Sequence, residues 1–191
     1  MNSHVKAHDW KEILVGIKSL YRLKQLPRQG WLDAGIDPVE VESVAAHSFG
    51  CALLVVLLRD LLRSEGLNAE LCLRMAVIHD LAEAEVGDIT PHAGVEAHRK
   101  HALESAALAQ LLEAQPAGRG IEDLWNQYEM GVTPEARLVR QIDKLDMLIQ
   151  ALLYRNSGTL LDEFFQGMDK LFGESILADL YTQIKIEYSD Q

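Results

Sequence analysis

Apolar side chains recur along this chain at offsets of three and four, the period of amphipathic helices. Residues 10 to 25 carry Ile13, Leu14, Ile17, Leu20 and Tyr21 on one stripe, and Pro27 and Gly30 then break it. Residues 26 to 42, which include Arg28 and Trp31, read as a loop. A second helix is expected from Ser43 to Glu65, ending near Gly66, and a third from an Asn68 cap to about Glu83. Gly87, Pro91 and Gly94 mark another loop. A long helix follows to about Gln115, closed by Pro116 and Gly118, and a shorter one covers residues 120 to 130. Thr133-Pro134-Glu135 joins a capping hydroxyl, a first-position proline and an early acid. The helix it starts should reach Arg155, with Gly158 helping to end it. Residues 172 to 188 carry one more amphipathic pattern. No period-two run demands a sheet, so the expected fold is an all-α bundle of about seven or more helices.

Four polar residues interrupt the apolar stripes. His47 shares a face with Val44, Cys51 and Leu54; His79 follows Met75 and Ala76; Asp143 lies among Val139, Ile142 and Met147. Asp80 stands next to His79, and both reach Glu83, at i+3 and i+4. Taken alone, His47 reads as a buried neutral imidazole bonded to a carbonyl. An unpaired buried carboxylate, however, costs several kcal/mol. Two imidazoles and two carboxylates in apolar frames together point to a shared divalent metal, and so to hydrolysis of phosphate esters. The His-Asp dipeptide is weak evidence by itself, since His8-Asp9 repeats it near the N-terminus without an apolar frame.

Composition narrows the class. In 191 residues, 48% are hydrophobic and 25% charged, an ordinary balance for a single domain spanning 1–191. The net charge of −11 argues against a nucleic acid polymer as partner, because affinity for one comes mainly from Lys and Arg. The longest apolar run, Cys51 to Leu58, is far too short for a membrane span, and the N-terminus lacks a signal-peptide pattern. Cys51 and Cys72 lie in apolar helical sequence and read as buried free thiols of a cytoplasmic protein.

The stretches LPRQGW (26–31), ESVAAHSFG (42–50), IHDLAEAEVGDITP (78–91), HRKHALESAAL (98–108) and RQIDKLDMLIQALLY (140–154) resemble the HD-domain phosphohydrolases. Within that group they are most similar to the 5′-deoxynucleotidase (YfbR-like) branch. They occur in the family's order, and the likeness covers residues 10 to 156, which the HD core would occupy. The resemblance implies a metal held by His47, His79, Asp80 and Asp143, catalytic acids at Glu83 and Asp88, and a phosphate contact at Arg28. It also implies a homodimer, with the C-terminal helix offering one surface. Ala46 departs from the pattern, where the family commonly has an acid before the first His; the change should fall on a contact around the ligand rather than on ligation.

The residues themselves support such chemistry. Two imidazoles and two carboxylates suit one Mn, Co, Fe, Ni or Zn ion, which activates water near neutral pH and withdraws charge from phosphoryl oxygens. Glu83 and Asp88 could orient the water or protonate the leaving oxygen, though Asp88 could equally cap a turn. Arg28 can grip a phosphate with two parallel bonds. Trp31 and Lys100 complete the candidate substrate contacts, for a small nucleotide. Trp31 reads first as a core or lid residue, and Lys100 could simply pair with Glu96 or Glu104. His92, His98 and His101 could support a second metal but fit a solvated face better. Three alternatives stay open: hydrolysis of another small phosphate ester, hydrolysis of an alarmone of the ppGpp type, and a non-catalytic nucleotide- or metal-binding module. Alarmone hydrolases typically carry Glu-Asp after the turn, where this chain has Glu83-Ala84.

Overall fold

The computed structural model describes residues 9–155 and 161–190. Among these residues there is no strand, only an isolated bridge between Pro27 and Ser43. The helices are α1 (Trp10–Leu20), α2 (Gln29–Asp33), α3 (Val44–Leu57), α4 (Arg59–Ser64), α5 (Ala69–Ile78), α6 (Glu83–Val86), α7 (Ala97–Leu112), α8 (Gly118–Met130), α9 (Pro134–Arg155), α10 (Met168–Phe172) and α11 (Ala178–Asp190). His8 and Gly158, both named from the sequence, lie outside the described residues.

The anticipated caps at Asn68 and Thr133 are made, and Ser43, expected only as the start of its helix, caps it as well. Ser43 Oγ accepts from Ala46 N, Asn68 Oδ1 from Leu71 N, and Thr133 Oγ1 from Ala136 N. Gly131 ends α8 in the left-handed region, at φ 62°, where a side chain would be strained. α9 is the axis of the bundle, burying Val139, Ile142, Leu145 and Leu148 completely. It packs on α3 and α5, which also pack on each other, and α7 and α8 close the far side. The helix α11 docks Tyr181, Ile184 and Tyr188 into the core.

Several sequence boundaries move. The first helix stops at Leu20 and tightens into a 3₁₀ turn over Tyr21–Lys24. Of its stripe only Ile13 is buried within α1; Leu14, Ile17 and Tyr21 stay exposed. The stretch expected as loop at 26–42 contains α2, whose first N–H group is capped from far along the chain, as described below. The second helix divides at Leu58, and Leu62 on the redirected α4 is fully buried. The third ends at Ile78 rather than Glu83, because His79 Nδ1 lies 2.9 Å from the carbonyl of Ala76 and Trp125 Nε1 donates to the His79 carbonyl. Both bonds engage backbone groups that a continuing helix would use. Glu83 therefore opens α6 instead of following His79 on one helix.

Candidate active site

α3, α5 and α9 meet where their polar interruptions face each other. His47 comes from the N-terminal part of α3, His79 and Asp80 from the turn closing α5, and Asp143 from the third turn of α9. His47 Nε2 lies 3.3 Å from His79 Nε2, 3.2 Å from Asp143 Oδ1 and 3.7 Å from Asp80 Oδ2. His79 Nε2 is 3.3 Å from Asp80 Oδ2. Donor atoms of all four residues thus converge on one spot, although they are up to 96 positions apart in sequence. His47 is 1% exposed and forms the floor; His79, Asp80 and Asp143 line a cleft of about 640 Å³.

The walls carry the other expected residues. Arg28 Nη1 stands 3.5 Å from Asp80 Oδ2 and 3.8 Å from Asp88 Oδ2. Asp88 does not merely cap its own turn: its Oδ2 accepts from Gln29 N at 2.8 Å, so it holds the start of α2 and keeps Arg28 at the cleft. Trp31 is 2% exposed, donates through Nε1 to Glu42 Oε1 at 2.9 Å, and packs on Tyr154 and Phe164. Lys100 pairs with Glu104 at 3.5 Å and donates to the Ile89 carbonyl at 2.9 Å, with its side chain still on the cleft. Glu83 is buried, and its Oε2 has no hydrogen-bond partner among the described residues. Of the three other histidines among the described residues, His101 stacks on Trp125 with centroids 5.4 Å apart and lies 3.5 Å from Glu129. His92 also lines the cleft, and His98 is exposed outside it.

The electrostatics are those of a cation-binding cage. Burial works against a charged Asp143, yet Lys144 and the His47 and His79 rings hold its carboxyl well below the usual range. Asp80 is lowered too, His79, Arg28 and His47 overcoming burial. Burial and Arg28 oppose a charge on His47, but its hydrogen bonds to the Asp143 and Asp146 carboxylates prevail and raise its pKa well above normal. In Glu83, burial acts first and then the Asp80 and Asp88 charges, together raising the carboxyl well above its ordinary value. Arg28 stays firmly charged because Asp80, Asp88, Asp143 and Glu83 outweigh its burial. Clustered carboxylates, two imidazole nitrogens and an orphaned carboxylate oxygen form a donor set suited to a borderline divalent metal.

Three residues escaped the sequence reading. Asp146 Oδ2 lies 2.7 Å from His47 Nδ1, Lys144 Nζ lies 3.0 Å from Asp143 Oδ2, and Glu42 anchors Trp31. The Asp143-x-x-Asp146 spacing placed a second acid on the same face of α9 and was the available signal for Asp146. Cys51, buried and free as expected, additionally sits 3.7 Å from His47 Nε2. Ligand atoms of His47, Cys51 and His79 lie within 4.8 Å of one another, as do those of Glu42, His47 and Asp146. Burial pushes the Cys51 thiol up to about 12, which keeps it a neutral neighbour.

A model of the HD domain matches residues 20–176. The chain belongs to the HD-domain family. This HD-domain protein is 40% identical over 141 residues to a 5′-deoxynucleotidase of Schizosaccharomyces pombe, covering 71% of this chain and 68% of that one. It is 28% identical over 187 residues to a human 5′-deoxynucleotidase, covering 95% and 89%. A crystal structure of a Pyrococcus horikoshii protein superposes with a TM-score of 0.75 at 34% identity, covering 91% of this HD-domain protein and 97% of its own chain. No helix among the described residues is long and apolar enough to cross a membrane.

Proposed function

We propose that this HD-domain protein removes the 5′-phosphate from deoxynucleoside 5′-monophosphates, giving a nucleoside and inorganic phosphate. One divalent transition metal (Mn, Co, Fe, Ni or Zn) would be held by His47, His79, Asp80 and Asp143. The observation that carries this reading is the convergence of those four side chains on the floor of one cleft, beside a charged Arg28. The relatives named above as 5′-deoxynucleotidases support the substrate class.

When bound, the metal supplies Lewis acidity toward a phosphoryl oxygen and activation of water near neutral pH. Arg28 binds and orients the phosphate, and its contacts with Asp80 and Asp88 hold the guanidinium in place before substrate arrives. Glu83, buried on the cleft with Oε2 unpartnered among the described residues, would exchange a proton with the attacking water or the leaving 5′-oxygen. Asp88, fixed by Gln29 N, is placed to accept from the attacking water. Lys100 adds positive charge at the mouth, and Trp31 with Phe164 forms the apolar wall against which the sugar would lie.

The homodimer and the cytoplasmic setting are part of the same proposal. The outer face of α3 supports the first, since Phe49, Leu53, Val56 and Leu57 share it and are all exposed. On α11, by contrast, the large apolar residues are mostly docked inward. Two buried free cysteines support the second.

The test is phosphate release from a panel of deoxyribo- and ribonucleoside 5′-monophosphates with each of the five metals. Deoxyribonucleotides should be hydrolysed best, and Asp80→Ala and His79→Ala should abolish both turnover and metal retention. Release of pyrophosphate from ppGpp without any mononucleotide hydrolysis would overturn the reading.

A further inference from the structure

We infer that Asp146 is a positioning residue for the metal centre, and that Gly50 is the opening in α3 that admits it. The inference rests on the proposed metal site and concerns how His47 is aimed into it.

The geometry around His47 is two-sided. Asp146 Oδ2 meets Nδ1 at 2.7 Å, while Asp143 Oδ1 meets Nε2 at 3.2 Å. The two carboxylates stand three residues apart on α9 and bracket one imidazole ring from opposite ends. With Nδ1–H donated to Asp146, the lone pair of Nε2 is left facing His79 Nε2, Asp80 Oδ2 and Asp143 Oδ1. His79 is treated in parallel, its Nδ1 held 2.9 Å from the Ala76 carbonyl. Each candidate imidazole ligand therefore has its outer nitrogen fixed by an acceptor, one neutral and one anionic. Asp146 meets Nδ1, on the side of the ring away from the donors that converge on Nε2. It is placed to orient and not to ligate.

Gly50 explains how a carboxylate reaches that place. It lies one turn beyond His47 on α3. A Cβ built there would collide with Asp146 Oδ1 and come within 2.9 Å of Asp146 Cγ. Asp146 thus occupies the volume that any other residue at position 50 would fill. An alanine there would have to push the carboxylate aside, off Nδ1, or force α3 away from α9. The pairs His47-x-x-Gly50 and Asp143-x-x-Asp146 form one interlocking unit across two helices: a ligand and a hole on α3, a ligand and an orienter on α9. Glu42, the other acid near Nδ1, already accepts from Trp31 and leaves Asp146 as the partner in hydrogen-bond contact.

The test is Co²⁺ binding to the purified protein, read by chelator competition and by the visible absorption of the bound ion. Asp146→Ala should weaken Co²⁺ binding by about 10- to 100-fold and alter the band shape, the effect typical of losing a ligand's outer partner. Asp146→Asn keeps an oxygen for Nδ1–H and should recover the wild-type band shape with a smaller loss of affinity. Gly50→Ala should weaken Co²⁺ binding while Asp146 is present and add little in an Asp146→Ala background, a coupling that mere helix destabilisation would not produce. Wild-type binding with Asp146→Ala unchanged in affinity and spectrum would overturn this inference and leave the metal centre standing. Failure of the wild type to bind Co²⁺ at all would overturn the metal centre, and this inference with it.

Discussion

Arg28 Nη1 lies 3.5 Å from Asp80 Oδ2, although 52 residues separate them in the chain. The cation assigned to the phosphate thus already touches a carboxylate assigned to the metal, and the two sites are neighbours by construction. Arg28→Lys keeps a charge but loses the planar fork. It should lower kcat/KM for a deoxynucleoside 5′-monophosphate by about 10- to 100-fold, the loss of one or two charge-assisted bonds. The loss should appear mainly in KM, and steady-state kinetics would show it. An unchanged KM would remove Arg28 from the phosphate site.

Metal removal should be visible in stability as well as activity. Asp80 and Asp143 crowd carboxylates into a largely buried cluster, and a bound cation would offset their charge while His47 and His79 served it as neutral imidazoles. Saturating Mn²⁺ or Co²⁺ at about 100 times Kd should add about 2.7 kcal/mol. Thermal melts with chelator and with added metal would read this as a rise in Tm. In Asp143→Ala the rise should disappear.

The Trp31–Glu42 bond gives a prediction about the cleft wall. Trp31 Nε1 is buried with Glu42 Oε1 as its acceptor at 2.9 Å. Glu42→Leu would strand that N–H and should cost about 1–3 kcal/mol in urea unfolding, whereas Glu42→Gln, which keeps an acceptor, should cost less. Equal losses in the two variants would assign the cost to packing.

Cys72 predicts a dependence on alkaline pH. Burial first, and then the Glu135 carboxylate, push its thiol up to about 11. An unfolded thiol titrates near about 8.5, so the unfolded chain ionises first as pH rises. The stability this group contributes is complete below about pH 8.5 and is lost progressively up to about pH 11. Cys72→Ala, which leaves a small cavity at every pH, should show a shallower alkaline decline. The gap between wild type and variant should narrow by about 1–2 kcal/mol between pH 8 and pH 10 in urea titrations. A constant gap would mean that the thiol does not titrate differently on folding.

Much of the helical frame was legible because caps and periodicity act locally. Ser43, Asn68 and Thr133 each bond an amide three residues on, and no distant residue is needed for that. The failures share a cause. α5 was extended to Glu83 because its stripe runs that far, but the Trp125 indole reaches in from α8 to take the His79 carbonyl. α2 went unseen because its N-terminal partner, Asp88, lies 59 residues away. Three of the five residues in the first helix's stripe, Leu14, Ile17 and Tyr21, proved exposed, since spacing shows which residues share a face and not whether anything covers it.

From its residues alone the chain specified an all-α bundle, and it marked His47, His79, Asp80 and Asp143 because charge in an apolar stripe is costly unless compensated. Resemblance added the roles of Arg28, Glu83 and Asp88. Only the tertiary structure decided that those side chains share one cleft, that Asp88 holds α2 as well as facing Arg28, and that Gly50 leaves room for Asp146 behind His47. The reason is range: capping and periodicity are settled within a turn or two of helix, whereas donor convergence depends on how α3, α5 and α9 cross.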